Sequence, residues 1–327
     1  MKFAFIIDPI QGLDPGHDSS VALMEAAQSR GHQVWITQMS ELRVAQGQAW
    51  ATLQAVTLNP VSLQEGRWQV PSPWYHLGHP QELCLGEMDA VFMRKDPPVT
   101  IPYLYATYVL DALDPQRTLV LNSPQGLRSA NEKMYALQFT GAIPETIVSA
   151  RKASIIEFAQ AQGQAVLKPL GGKGGGGGVL FLDPDDRNLN SLIEISTHQG
   201  QVPVMVQAYL PAAKEGDKRI IVLHGEPIGA VNRVPTGQEF RGNMAVGGRV
   251  EAVPLTDRDR DICAQLAPAL RRDGLYFVGL DVIGGYLTEV NVTSPTGIRE
   301  IDRLDGVCLG QQVMEWLEAF HPQGGPV

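Results

Sequence analysis

Cysteine, histidine and basic charge are all scarce in this chain, and each scarcity removes a class of function. The three cysteines, Cys84, Cys263 and Cys308, are far apart and form no CxxC pair. That argues against a thiolate zinc site or a disulfide framework and fits the reduced thiols of a cytoplasmic protein. His76 and His79 are the only closely spaced histidines, and no HExxH or Cys/His zinc spacing occurs. No GxSxG nucleophile elbow is present. A formal net charge of −9 argues against nucleic acid and anionic membrane as partners, since both demand a basic surface. No apolar run approaches the ~18 residues that a membrane span needs. The opening MKFAFIIDP carries one lysine and an apolar run too short for a signal peptide, and reads as a first strand.

What remains is a globular chain of 327 residues, 44% hydrophobic and 19% charged, long enough for about two domains. Phe3 to Ile7 reads as a buried strand, Ser19-Ser20 as the cap of a helix through Ala27, and His32 to Thr37 as a second strand. This β-loop-α-β opening predicts an N-terminal α/β domain with an open parallel sheet. Residues 45–80 are turn-rich and predict an excursion from that sheet. Asp89 to Arg94 and Thr118 to Asn122 predict further strands, with a helix from about Tyr103 to Leu113 between them and another from about Arg128 to Phe139. Beyond Gly141 short strands and helices mix, which predicts an α+β domain. The division expected is 1–125 and 126–327.

The segment from Leu280 to Thr296 carries the most chemistry. Asp281 interrupts an apolar run, FVGLDVI, where a lone carboxylate is costly to bury. Gly284-Gly285 offers a tight turn. The return strand YLTEVNV places Glu289 and Asn291 two apart, on one face. If the strands pair, three oxygen donors converge, as a hard cation such as Mg²⁺ requires. An ordinary hairpin with a solvated polar face fits this segment equally well.

Other elements are read together with that hairpin. Gly171 to Gly178, GGKGGGGG, has the composition of a linker, but AVLKPL and VLFLD flank it as strands, so it reads as a hairpin connection whose backbone N–H groups can approach phosphate. It is not a Walker A loop, because no Ser/Thr and helix follow Lys173. Lys168 among apolar neighbours needs an anionic partner or a path to water, whereas Lys133 on a predicted helix is ordinarily a solvated lysine. Arg219, Arg233 and Arg241 bracket a glycine-punctuated region, where guanidinium forks can bind carboxylates. Arg94-Lys95-Asp96-Pro97-Pro98 ends a strand, at the position where open α/β sheets place ligands.

Taken together, the chain resembles the ATP-grasp ligases, and within them the bacterial type of glutathione synthetase. The resemblance runs in order through IIDPI, FMRKDPP, YATYVL, SANEK, LKPLGGKGG, QAYLPA, GDKR, RGNMAVGGR, FVGLDVIG and TEVNVTSPTGIREID. FMRKDPP, RGNMAVGGR and TEVNVTSPT are specific to that type. The resemblance implies an enzyme that joins glycine to γ-glutamylcysteine while ATP is cleaved to ADP and phosphate, through an acyl phosphate. It implies phosphate contacts from Lys133, Lys168, Gly174 and Gly175, and an adenine-binding hinge at Gln207, Ala208, Tyr209 and Leu210. It also implies a nucleotide-proximal acid at Asp217. Mg²⁺, or Mn²⁺ in its place, would be held by Asp281, Glu289 and Asn291. Arg219, Arg233 and Arg241 would lie near the reacting carboxylate, and residues 235–248 would form a mobile lid. A homotetramer is implied as well. One departure is the near-continuous glycine from Gly171, where members of that type often carry an acid and mixed residues. The alternatives are another carboxylate-amine ligase of the same fold and a nucleotide-binding regulator without catalysis.

Overall fold

The computed structural model describes residues 1–171, 178–235 and 249–320. Its N-terminal sheet has eight strands. Four are parallel, in the spatial order Leu119–Leu121, Ala90–Met93, Lys2–Ile6, Gln33–Thr37. Their apolar composition follows from burial on both faces, the usual condition of parallel strands. The helix Ser19–Ser29 covers one face. Its cap is Asp18 rather than the expected Ser19-Ser20: one carboxylate oxygen accepts from the N–H of Ser20 at 2.6 Å and of Val21 at 3.1 Å. A carboxylate there also meets the positive end of the helix dipole, which a hydroxyl cannot match.

Residues 45–80 mostly extend the sheet, and only the hairpin of Ser62–Gln64 with Arg67–Gln69 leaves it, as a separate two-stranded sheet. Gln48–Leu58 pairs antiparallel with Gln33–Thr37 and in turn holds Leu42–Ala45, Tyr75–Leu77 and Gln81–Cys84. Its side chains alternate between buried and half-exposed, a period-2 pattern that one packed face imposes.

The helix expected from Arg128 to Phe139 is broken in two. Pro124–Ser129 is α-helical and Met134–Gln138 is a 3-10 turn. Between them Asn131 Oδ1 accepts from the N–H groups of Lys133 at 3.1 Å and Met134 at 3.0 Å. A side chain that takes these donors competes with the helix ladder and restarts the chain in a new direction. Lys133 therefore lies at a helix boundary, and the change of direction turns it inward.

The rest of the chain builds two antiparallel sheets. The first, of four strands, has the order Thr146–Ser149, Val204–Ala208, Ala165–Pro169, Leu180–Leu182. The second, of five, has the order Arg249–Ala252, Glu226–Val234, Asp217–Leu223, Phe277–Ile283, Tyr286–Asn291. The glycine-rich segment does connect two paired strands, Ala165–Pro169 and Leu180–Leu182; residues 172–177 themselves, including Gly174 and Gly175, lie outside the described residues.

The five-stranded sheet shares its cores with the N-terminal sheet. One apolar cluster runs from Ala4, Ile6 and Met93 to Val278, Leu280 and Val290. Another joins Phe5 and Phe92 to Ile221, Phe277, Ile298 and Val313. The four-stranded sheet has a separate, smaller cluster around Ile155, Leu167, Ile193 and Val206. An unanticipated helix, Ile298–Asp305, is bounded by Gly297 and Gly306 at positive φ, and with Leu309–Ala319 it packs on Ser19–Ser29. Among the described residues no helix is long and apolar enough to cross a membrane.

Asn122 is the main polar link between the sheets. Its buried amide donates to the carbonyls of Phe277 and Val292, both at 2.8 Å, and accepts from the N–H of Phe277 at 2.8 Å. Truncation would leave buried backbone groups without partners, each worth roughly 1–3 kcal/mol. Asn122→Ala should therefore lower stability by about 2–4 kcal/mol in urea denaturation; a loss below about 1 kcal/mol would show that the link carries no weight.

Candidate active site

The site assembles on one face of the five-stranded sheet. In the register of neighbouring strands, Arg219 lies opposite Asp281, Asp281 opposite Glu289, and Asp217 opposite Arg233. Residues opposite one another in an antiparallel pair share a face, as do residues two apart on a strand. Asp217, Arg219, Arg233, Asp281, Glu289 and Asn291 thus form one polar patch on one face of the sheet. The expected turn is formed by Gly284 and Gly285, both at positive φ.

Asp281 is buried, and the two arginines answer it. Arg219 Nε donates to Oδ1 at 2.5 Å and Nη2 to Oδ2 at 3.2 Å, while Arg233 Nη2 reaches Oδ2 at 3.0 Å. Burial penalises the carboxylate, but the guanidiniums outweigh it and hold Asp281 well below the usual carboxylate range. Asp217 fares differently. It also pairs with Arg233 Nη2, at 2.5 Å, but shares that group with Asp281, and its Oδ1 is buried with no partner among the described residues. Burial dominates there, with Arg233 opposing it and Asp281 adding to it, and the carboxyl is pushed up to about 7. The site therefore holds one carboxylate fixed in its charged form and one poised to carry a proton.

Gly279 makes this arrangement possible. A Cβ there would lie 2.9 Å from Pro295 Cβ and 3.1 Å from Arg219 Cδ, so any side chain would displace the stem of Arg219 or the segment 293–297. That segment is tied down as well: Arg219 Nη1 donates to Thr296 O at 3.0 Å, and the buried Arg94 donates from Nη2 to Pro295 O at 2.9 Å. The strand-end motif noted in the sequence thus joins the N-terminal sheet to the rim of the site. Lys95, next to it, pairs with Asp8 at 2.9 Å.

Two lysines approach the same face from other elements. Lys133 Nζ lies 3.7 Å and Lys168 Nζ 3.9 Å from Glu289 Oε1, both longer than a hydrogen bond. Two ammonium groups thus lie near one carboxylate that neither contacts closely, and their N–H donors can turn to anionic oxygens. Glu132, beside Lys133, was not singled out in the sequence. It is drawn in by the break at Asn131, accepts from Thr293 Oγ1 at 3.0 Å, and has its carboxyl raised by burial and by Glu289. Nothing in a plain SANEK segment announces a buried acid.

The hinge candidates divide by function. The N–H groups of Ala208 and Tyr209 donate to the carbonyls of Glu145, at 2.9 Å, and Gln164, at 3.1 Å. Leu210 N–H makes no hydrogen bond among the described residues. The buried side chain of Gln207 faces Lys168, with Oε1 at 3.0 Å from Nζ. Arg241 and nearly all of the expected lid, from residue 236 to 248, lie outside the described residues.

The donor set fits a hard cation that completes its shell elsewhere. Asn291 Nδ2 donates to Gly279 O at 3.3 Å, and its Oδ1 accepts no hydrogen bond among the described residues. Among the described residues no group of three or more His, Cys, Asp or Glu side chains could hold a metal alone. Two carboxylates and an amide leave room for phosphate oxygens.

Comparison with known proteins shows the family. The family models for the N-terminal domain and the ATP-grasp domain of prokaryotic glutathione synthetase match residues 1–128 and 132–306. The glutathione synthetase of Thermosynechococcus vestitus is 70% identical over 97% of this chain and 99% of its own length. That of Synechococcus elongatus is 66% identical over 99% of this chain and 100% of its own. Among solved structures, the macrocyclase MdnC from Microcystis aeruginosa, bound with its precursor peptide, shares the fold with a TM-score of 0.63 at 17% identity, over 98% of this chain and 100% of that one. D-cycloserine synthetase DcsG gives 0.62 at 15% identity, over 97% of this chain and 100% of that one. The chain belongs to the prokaryotic glutathione synthetase family and carries its ATP-grasp domain.

Proposed function

We propose that the protein ligates glycine to γ-glutamylcysteine with cleavage of ATP to ADP and phosphate. The observation that carries this reading is the single charged face on which Asp217, Arg219, Arg233, Asp281 and Glu289 meet Lys133 and Lys168, in a chain of this family. Residues 1–125 form the substrate side on this reading, and 126–327 the nucleotide side.

A free carboxylate is a poor acyl donor. The γ-phosphoryl group of ATP passes to the cysteinyl carboxylate of γ-glutamylcysteine, giving an acyl phosphate and ADP. Glycine's amine attacks the acyl carbon, and the tetrahedral intermediate expels phosphate to leave the new amide. Lys133 and Lys168 bind phosphate oxygens and offset their charge, which is most of what a protein contributes to phosphoryl transfer. Arg219 and Arg233 orient the face and set a positive field where the oxyanion develops. Adenine docks at the hinge, with Leu210 N–H as the free backbone donor. Asp281, Glu289 and Asn291 would hold Mg²⁺. Bound there, it would neutralise charge on phosphate oxygens.

Three outcomes test this. With ATP, phosphate release should require γ-glutamylcysteine and glycine together, with other carboxylate-amine pairs at least about tenfold slower; a faster alternative pair would reassign the substrate, and ATP binding without turnover would favour a regulator. Glu289→Gln should lower kcat about 10²–10³-fold, as loss of one preorganised electrostatic group does, while Tm stays within about 3 °C; unchanged kcat would remove Glu289 from the site. Lys168→Ala should weaken ATP binding by roughly 1.5–3 kcal/mol, about ten- to a hundredfold, in calorimetry; equal affinity would overturn its phosphate role.

A further inference from the structure

We infer that Thr146 and Gln207 are positioning residues for Lys168: a relay from the backbone of Pro144 aims the ammonium into the nucleotide site without neutralising it. The inference rests on the proposed phosphate role of Lys168 and adds two side chains that act through it.

The relay has a fixed direction. Thr146 Oγ1 donates to Pro144 O at 2.8 Å, so its one proton is committed and its lone pairs face the sheet. Gln207 Nε2 donates to that hydroxyl at 3.1 Å. The amide oxygen must then point the other way, where Lys168 Nζ donates to Oε1 at 3.0 Å. A flipped amide would set NH₂ against the ammonium, donor against donor, and its oxygen against a hydroxyl whose proton is already given to Pro144 O. The Thr146 hydroxyl thus decides which end of Gln207 meets the lysine. Strand register supports the same chain of contacts. Thr146 and Gln207 lie directly opposite each other. Val166 is opposite Gln207, which puts Lys168, two residues on, on the same face.

The choice of glutamine has a physical reason. Lys168 emerges from an apolar strand on a long stem, and holding it in one rotamer costs side-chain entropy. A carboxylate would hold it too, but would also cancel the charge that a phosphate must find. A neutral acceptor fixes position and leaves the charge available. Gln207 is buried, with Val204–Ala208 as a central strand of its sheet, so it can serve as a rigid support.

The test is calorimetry of ADP with Mg²⁺, and of adenosine as a ligand without phosphate, on the full chain. Thr146→Val keeps the shape and removes the hydroxyl. It should weaken ADP three- to tenfold and leave adenosine binding within twofold, and Thr146→Ser should restore ADP binding to within twofold of the parent. Gln207→Glu should weaken ADP more than tenfold, because it pairs the lysine. If Thr146→Val binds ADP like the parent, or weakens adenosine as much as ADP, the relay is overturned and Thr146 serves only the strand. Lys168→Ala in the same series separates the two readings. If it loses ADP affinity while Thr146→Val does not, the relay alone fails. If Lys168→Ala binds ADP normally, the phosphate role fails first.

Discussion

Asp281 is buried and charged in a strand that is otherwise apolar, and the pairing of that carboxylate with Arg219 and Arg233 organises the site. Burial alone would neutralise the carboxyl; two guanidiniums reverse the outcome. The same pairing has further consequences. It requires the absence of a side chain at Gly279, so that the arginine stem can cross the strand. It anchors segment 293–297 through Thr296 O. Asp217, buried beside Asp281 and sharing Arg233 with it, has its carboxyl raised, first by burial and then by the Asp281 charge. A buried ion pair of this kind is a poor source of stability. Its contribution is to fix where charge sits before any ligand arrives.

The site draws on two cores that do not merge. Asp281, Glu289 and the arginines stand on a sheet that shares its apolar clusters with the N-terminal sheet. Lys168 and the hinge belong to the four-stranded sheet, whose cluster is separate and smaller. Lys133 reaches in from the restart at Asn131, whose amide also donates to Leu170 O at 2.9 Å, next to the glycine-rich segment. Charged groups from separately packed units therefore meet at Glu289. An anionic ligand between them would supply the bond that the protein leaves open, since neither lysine is within hydrogen-bond reach of that carboxylate.

Much of this was legible in the sequence wherever the signal was local. The turn at Gly284-Gly285, the spacing of Glu289 and Asn291, and the strands flanking the glycine run are short-range patterns, and each predicted its pairing. The helix expected through Lys133 failed because one side-chain amide, Asn131, outcompetes the ladder, and propensity does not register a single competing acceptor. The extension of the sheet by Gln48–Leu58 was missed because turn-forming neighbours obscured an alternating strand. Which cation answers which acid could not be read at all. Arg219 and Asp281 are 62 residues apart, and their meeting depends on register set by the whole sheet. Gly279 looked like any strand glycine until the crossing arginine gave it a purpose.

The most direct test of this arrangement is a crystal structure with ADP and Mn²⁺, in which anomalous scattering locates the metal independently of the refined side chains. The account predicts an anomalous peak within direct coordination distance of Asp281, Glu289 and Asn291 Oδ1, with both lysines on phosphate oxygens and Arg219 still paired to Asp281. A metal bound away from this face, or phosphates contacting neither Lys133 nor Lys168, would contradict it.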